Sequence, residues 1–92
     1  MTSYEFEVAA KNALIKVLED DFDIMLSIGD LELVWFAHTV GNKKCLIWGR
    51  EMGNLYAEVT WYKEHQTMYV DIYRKAQHYG FPASALDFSA KA

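Results

Sequence analysis

Two Gly–Asn pairs, Gly41–Asn42 and Gly53–Asn54, constrain the fold of this chain more than any other feature of its sequence. Each pair lies between segments in which side-chain character alternates with a period of two, which is typical of a β-hairpin with a two-residue turn. A polar loop at 63–66 precedes one more segment of this kind. The pattern predicts four consecutive antiparallel strands, at Leu31–His38, Lys44–Arg50, Leu55–Tyr62 and Thr67 to about Tyr73.

These three turns also predict which residues pair across neighbouring strands. With the Gly–Asn pairs as loops, the numbers of paired residues add up to 83 in the first hairpin and 107 in the second, and a four-residue loop gives 129 in the third. All three sums are odd, so the side chains sort onto two faces without conflict. The predicted core face holds all three tryptophans and consists of Leu33, Trp35, Ala37, Leu46, Trp48, Ala57, Val59, Trp61, Met68, Val70 and Ile72.

An amphipathic helix is predicted over residues 4–21, with Ser3 as its N-cap. Apolar residues recur there at spacings of three and four, as in a helix that buries one side. This stripe consists of Phe6, Ala10, Ala13, Leu14, Val17 and Leu18. The predicted fold class is therefore α+β, with the N-terminal helix packed on one face of a four-stranded antiparallel meander. The segment 24–28 fits either a last helical turn or a short connecting strand.

The C-terminal part of the chain has a less regular pattern. Residues Arg74–Tyr79 are predicted to form a short helix that ends at Gly80, followed by a loosely ordered tail over about 81–92. A competing interpretation makes Asp71 the N-cap of a helix over Ile72–Tyr79, which would replace the second half of the fourth strand.

Composition and charge exclude several classes of protein. A chain of 92 residues is too short for a second core, so a single domain over 1–92 is predicted. The net charge of −4 argues against a protein that coats nucleic acid, because such a protein needs a basic surface. A lone cysteine, Cys45, allows no disulfide within the chain and is typical of the reducing cytosol. Because no apolar run approaches the length of a membrane span, we expect a cytoplasmic protein with no membrane partner.

The second face of the predicted sheet is unusually apolar and aromatic for a surface that normally meets water. Its cover could be intramolecular, if Phe81, Leu86 and Phe88 of the tail fold back over it. It could also be a second copy of the chain or a foreign protein, since tyrosine is enriched at protein interfaces. The predicted members of this face are Val34, Phe36, His38, Cys45, Ile47, Tyr56, Glu58, Thr60, Tyr62, Tyr69, Asp71 and Tyr73.

One pair of carboxylates on this face is a candidate chemical site. In the predicted register Glu58 lies directly across from Asp71, and like charges in that arrangement repel. The pair must therefore share a proton, bind a cation or receive a basic side chain. A bound cation would make it a metal or hydrolytic site. The alternative is that one of three basic side chains neutralises it: Lys44, Arg74 or Lys75.

The remaining chemical candidates are weak. Three histidines and Cys45 lack the spacing of metal ligands. His38 and Cys45 pair in the first predicted hairpin, but a Cys–His couple without an oxyanion loop or a cleft makes a poor active site. No Gly-rich phosphate loop, G-x-S-x-G or H-E-x-x-H motif occurs. We therefore predict no catalytic residue, no metal and no cofactor.

Four short motifs lie between residues 33 and 75: Leu33-Val34-Trp35, Asn42-Lys43-Lys44, Tyr56-x-Glu58-Val59-Thr60-x-Tyr62 and Tyr69-x-Asp71-x-Tyr73-x-Lys75. Together with the N-terminal helix, they resemble a family of small uncharacterised proteins encoded by phages and prophages of Gram-positive bacteria. The resemblance carries over no activity. It implies a cytoplasmic accessory protein of an infected or lysogenic cell that acts by binding.

Three functional hypotheses follow. The first is a non-enzymatic protein-binding module that forms a homodimer or binds a host protein. The second is single-stranded nucleic-acid binding, in which the tyrosines stack on bases; the two carboxylates would oppose it by repelling phosphates. The third is a metal or hydrolytic site at Glu58 and Asp71. The predicted binding residues of the first are Tyr56, Glu58, Tyr62, Tyr69, Asp71 and Tyr73.

Overall fold

One N-terminal helix and four antiparallel strands form the regular structure of the chain in a computed structural model, which describes residues 1–90. The sheet has the order β1-β2-β3-β4, so each strand pairs with its neighbour in sequence. This arrangement confirms the predicted α+β meander. The elements are α1 (Ser3–Phe22), β1 (Glu32–Thr39), β2 (Asn42–Trp48), β3 (Leu55–Tyr62) and β4 (Thr67–Arg74), with 3-10 turns at Ile28–Asp30, Arg50–Met52 and Ala83–Ala85.

Helix α1 begins one residue earlier than predicted, because Thr2 and not Ser3 is its N-cap. The Thr2 hydroxyl accepts a hydrogen bond from the Glu5 amide at 3.0 Å, and the Glu5 carboxylate accepts one from the Thr2 amide at 2.7 Å. This reciprocal capping box satisfies backbone donors that the helix cannot pair itself. The helix packs mainly against β3 and β4. Its fully buried apolar residues are Phe6, Ala10, Leu14 and Leu18.

The third hairpin has the predicted register. Tyr56 pairs with Tyr73 and Glu58 with Asp71, so paired numbers add up to 129. Asp71 therefore lies inside a strand, and the competing interpretation that made it a helix N-cap is wrong. Residues 24–27 form neither of the two predicted alternatives: they have no regular structure and lead into the 3-10 turn Ile28–Asp30.

The first hairpin turns one residue earlier than predicted. Its loop is Val40–Gly41, with φ of +49° and +83°, which is the backbone pattern of a type I′ turn. Paired numbers add up to 81, and the register shifts by one residue between Leu33 and Trp35 at a β-bulge. Because 81 is odd like the predicted 83, the residues of β1 and β2 that were predicted to share a face still share one near the turn.

The turn at Val40 gives a testable prediction about stability. A β-branched residue at positive φ is strained, and Val40 is 90% exposed, so replacing it changes little packing. We expect Val40→Asn to raise the free energy of unfolding by about 1 kcal/mol. Chemical denaturation measures the change. Val40→Thr is the matched control, because threonine is polar but still β-branched; a gain in that variant equal to the gain with asparagine would contradict the prediction.

The second connection differs most from the prediction. Strand β2 ends at Trp48, and a six-residue connection, 49–54, replaces the predicted Gly53–Asn54 turn. Its 3-10 turn places Met52 in the core with 2% exposure. Paired numbers of β2 and β3 add up to 104, which is even, where the sequence pattern predicted 107.

The even sum reverses the faces of β1 and β2 relative to β3 and β4. The side chains predicted on the second face but found on the helix side are Phe36, His38, Cys45 and Ile47. Those predicted in the core but found on the side away from α1 are Trp35, Ala37, Leu46 and Trp48. Cys45 and Ile47 are fully buried, and the Phe36 ring contacts Phe6 at 5.6 Å between centroids. Of the three tryptophans, Trp61 packs against the core as predicted.

The predicted short helix after the sheet is wrong, because Arg74 is the last residue of β4 and residues 75–82 have no regular structure. Phe81 and Phe88 are largely exposed and Leu86 is half exposed. These tail residues therefore do not cover the second face, which removes the intramolecular alternative for the described part of the tail. The last two residues of the predicted tail, 91 and 92, lie outside the described residues. No helix in the described chain is long and apolar enough to cross a membrane.

Candidate functional site

The sheet face away from α1, here called the open face, carries six tryptophan and tyrosine rings. Tyr56 is half-buried, and the other five are between 38% and 42% exposed. All six predicted binding residues lie on this face, because the registers of β3 and β4 match the prediction. The rings are Trp35, Trp48, Tyr56, Tyr62, Tyr69 and Tyr73.

One end of the open face is an apolar cleft. The rings of Tyr56 and Tyr73 stack with their centroids 5.2 Å apart. Trp48 lies beside Tyr56 and donates a hydrogen bond from its indole nitrogen to the Gly53 carbonyl at 3.2 Å. The cleft has a volume of about 370 Å³, and its wall includes Leu46 and, as its charged residue, Lys75. It can therefore receive an apolar side chain beside a negative group.

Glu58 and Asp71 lie midway along β3 and the edge strand β4 and pair directly across them on the open face. The Lys44 ammonium is 3.3 Å from a Glu58 carboxylate oxygen. The pKa of the Tyr73 hydroxyl is raised, first by its hydrogen bond to Glu58 and then by the negative charge of that carboxylate. Of the three options for this pair, the structure therefore supports neutralisation by a basic side chain. Arg74 instead donates a hydrogen bond to the Asn54 amide oxygen at 3.2 Å.

An aromatic cluster occupies the other end of the open face, at the β3–β4 turn. The His65 ring stacks on Tyr62 with 5.3 Å between centroids, and its Nδ1 is 3.0 Å from the Tyr69 hydroxyl. Tyr62 and Tyr69 meet edge to face at 5.8 Å. The loop at 63–66 thus contributes a ring to the open face that the sequence pattern did not predict.

Within residues 1–90, no three His, Cys, Asp or Glu side chains converge in a way that could hold a metal ion. Glu58 and Asp71 form a pair without a third such ligand. The sheet thus offers a carboxylate pair that already has a cationic neighbour in Lys44.

The predicted neighbours His38 and Cys45 do not pair. Cys45 lies across from Phe36, because the first hairpin turns at Val40–Gly41. Its side chain is fully buried, and burial raises the pKa of the thiol to about 11. His38 is exposed and lies across from Lys43. The predicted pairing of His38 with Cys45 is therefore wrong.

Four residues predicted in the core lie on the open face: Trp35, Ala37, Leu46 and Trp48. Met52 was the available signal, because an apolar residue just before Gly53 has no partner in a two-residue hairpin and fits a longer connection that buries it. Relative to the predicted face, the open face gains the rings of Trp35 and Trp48 and loses Phe36 and Ile47.

Comparison with known proteins gives a family but no activity. A family model described as a family of unknown function, DUF6275, matches residues 7–82, which include most of α1 and all four strands. No curated protein and no solved structure matches the chain.

Proposed function

Because the chain belongs to the DUF6275 family of unknown function, we propose a function from its own surface: it is a protein-binding module whose open face docks a second copy of the chain. The observation that carries this proposal is the group of six aromatic rings on one sheet face that neither α1 nor the described tail side chains cover. A sheet face that stays in water is normally polar. Exposed apolar patches on folded proteins mark interaction sites.

The size and composition of the open face suit a protein interface. Four strands of about eight residues cover roughly 19 by 27 Å, a projected area of about 500 Å², which is about two thirds of one partner's share of a standard interface, about 800 Å². Tryptophan and tyrosine supply most of the binding energy in such interfaces when they enter pockets on the partner. The cleft beside Trp48 is such a pocket.

Charges of both signs suit self-association. The open face and its rim carry two cations, Lys44 and Lys75, and three carboxylates, Glu32, Glu58 and Asp71. A two-fold dimer places the same surface against itself, so cations of one copy can lie against carboxylates of the other. Lys44 already neutralises Glu58, which leaves Asp71 of one copy to approach Lys75 of the other.

Solution mass tests the proposal. Light scattering from micromolar to millimolar concentration is expected to show a reversible dimer, and Trp35→Ala and Tyr73→Ala are each expected to weaken it by about tenfold or more. Tyr4→Ala is the matched control, because Tyr4 is exposed on α1 and not on the sheet. A wild-type chain that stays monomeric throughout, or a Tyr4→Ala variant that dissociates as readily as Trp35→Ala, would overturn self-association.

Single-stranded nucleic acid is the second candidate, because exposed rings can stack on bases. The three carboxylates of the open face oppose it, since phosphate binding needs net positive charge. An electrophoretic shift of an oligonucleotide that weakens with salt and disappears in Trp35→Ala would favour nucleic acid over a second copy.

The resemblance to phage and prophage proteins supports a place for this module among the accessory proteins of an infected or lysogenic cell. There it acts in the cytoplasm by binding, without a catalytic step of its own. A host protein is the alternative partner, and it would require a monomeric chain whose open face is free.

A further inference from the structure

A second polar site lies on the helix side of the sheet, at the end nearest the β1–β2 turn. There His38, Lys43 and Trp61 follow one another across β1, β2 and β3, because Lys43 pairs with both neighbours. Lys43 is only 6% exposed. Lysine is almost never buried without a partner for its charge.

Lys43 has no carboxylate partner within residues 1–90. The polar contact of its ammonium is with the His38 ring, whose Nε2 is 3.4 Å away. The other buried lysine, Lys11, shows the usual solution, since its ammonium is 2.9 Å from a Glu7 carboxylate oxygen. A buried ammonium without a counter-charge is costly. In a chain with a net charge of −4, this local lack of a negative group points to an anion from outside.

A cavity next to Lys43 has room for such an anion. Its volume is about 290 Å³, and its lining includes Lys43, Lys63, Trp61 and Gln66. Lys63 also forms no ion pair among the described side chains. Two lysines and a tryptophan therefore line a space that exceeds the volume of several water molecules.

We propose that this cavity, the lysine pocket, binds a phosphate-type oxyanion. Lys43 and Lys63 donate charge-assisted hydrogen bonds to its oxygens, and the bound anion supplies the counter-charge that Lys43 lacks. The indole of Trp61 offers a flat apolar surface beside the anion. The anion is either free phosphate or the phosphate group of a small aromatic molecule such as a nucleotide, and both share the same oxyanion chemistry.

NMR titration of the full chain with inorganic phosphate and, separately, with a nucleoside monophosphate tests the pocket. Both are expected to give saturable shifts of the backbone signals of residues 38, 43, 61 and 63, against a chloride titration at matched ionic strength. Tighter binding of the nucleotide would show that Trp61 contributes, and equal binding would show that the oxyanion alone is recognised. No saturable shift with either compound would overturn the proposal.

Two variants separate anion binding from a structural role of the lysine. Lys43→Met is expected to weaken phosphate binding by about tenfold or more, while the thermal stability of the phosphate-free protein stays equal or rises. Lys63→Ala removes an exposed side chain and is expected to weaken binding without changing the fold, so it decides the question if Lys43→Met does not fold. Lys16→Met is the matched control, because Lys16 is exposed on α1 and pairs with Asp20. Phosphate affinity that is the same in all three variants would contradict the assignment.

Discussion

Replacing Gly49 with alanine is expected to lower the free energy of unfolding by about 3 kcal/mol. Gly49 has an extended backbone, with φ of −149°, that any residue can adopt, so the effect is steric. A Cβ atom at this position would overlap the carbonyl oxygen of Asp30 and lie 3.2 Å from a methyl group of Leu31. The backbone oxygen belongs to the 3-10 turn Ile28–Asp30 and cannot rotate away as a side chain would.

Gly29→Ala is the matched control for this variant. Gly29 lies in the same 3-10 turn, but a Cβ atom there would meet no heavy atom within 4 Å. Urea denaturation of both variants is expected to show a large loss of stability for Gly49→Ala and almost none for Gly29→Ala. Equal midpoints for the two variants would show that the contact between Gly49 and Asp30 is unimportant.

The same contact explains why the register of β2 and β3 was not predictable. The chain leaves β2 at Trp48, passes close to Asp30 at Gly49 and buries Met52, and these long-range contacts decide the length of the connection. Turn signals are local, so Gly53–Asn54 predicted a two-residue loop from its own preferences. The outcome was set by tertiary packing, which adds residues to the loop and changes the sum of paired numbers from odd to even.

Hydrophobicity could not correct the error in β2. Both alternating sets in this strand are apolar, Cys45 and Ile47 on one face and Leu46 and Trp48 on the other, so either face fits a core. In β3 the alternation is clear, because Ala57 and Val59 alternate with polar or amphipathic neighbours. A one-residue change of register reverses every side chain of a strand. The sequence therefore determines the faces of β3 and β4, and the packed structure determines those of β1 and β2.

In the candidate site, too, the residues of β3 and β4 were predictable from the sequence and those of β1 and β2 were not. All six binding residues predicted from the sequence lie in β3 and β4, where the alternation is clear, and the structure places them together. Lys44 was among the three basic residues predicted to neutralise the carboxylates, and it is the one that contacts Glu58. Trp35 and Trp48 lie in β1 and β2, and their exposure on the open face became visible only with the structure.

Cys45 is expected to react with a disulfide reagent at least about 100-fold more slowly in the folded protein than in the unfolded chain near pH 8. Burial raises the pKa of its thiol from 9.0 to about 11, and two pKa units reduce the reactive thiolate about 100-fold. The side chain is also fully buried, which blocks the reagent itself. Labelling with and without denaturant gives the two rates. Rapid labelling of the native protein would contradict the position of Cys45 under α1.

The same pKa shift predicts how stability depends on pH. Because the folded thiol has a higher pKa than the unfolded one, its contribution is fully present below about pH 9 and is lost as the pH rises through about 11. The loss amounts to about 3 kcal/mol for a shift of two units. Tyrosines and lysines titrate in the same range, so the measurement is the difference between the wild type and Cys45→Ala in denaturation experiments from pH 8 to pH 11. The wild type is expected to lose more stability than the variant, because only the wild type must bury or expose a thiolate. If the free energy of unfolding falls equally with pH in the two proteins, burial does not raise the pKa of the Cys45 thiol.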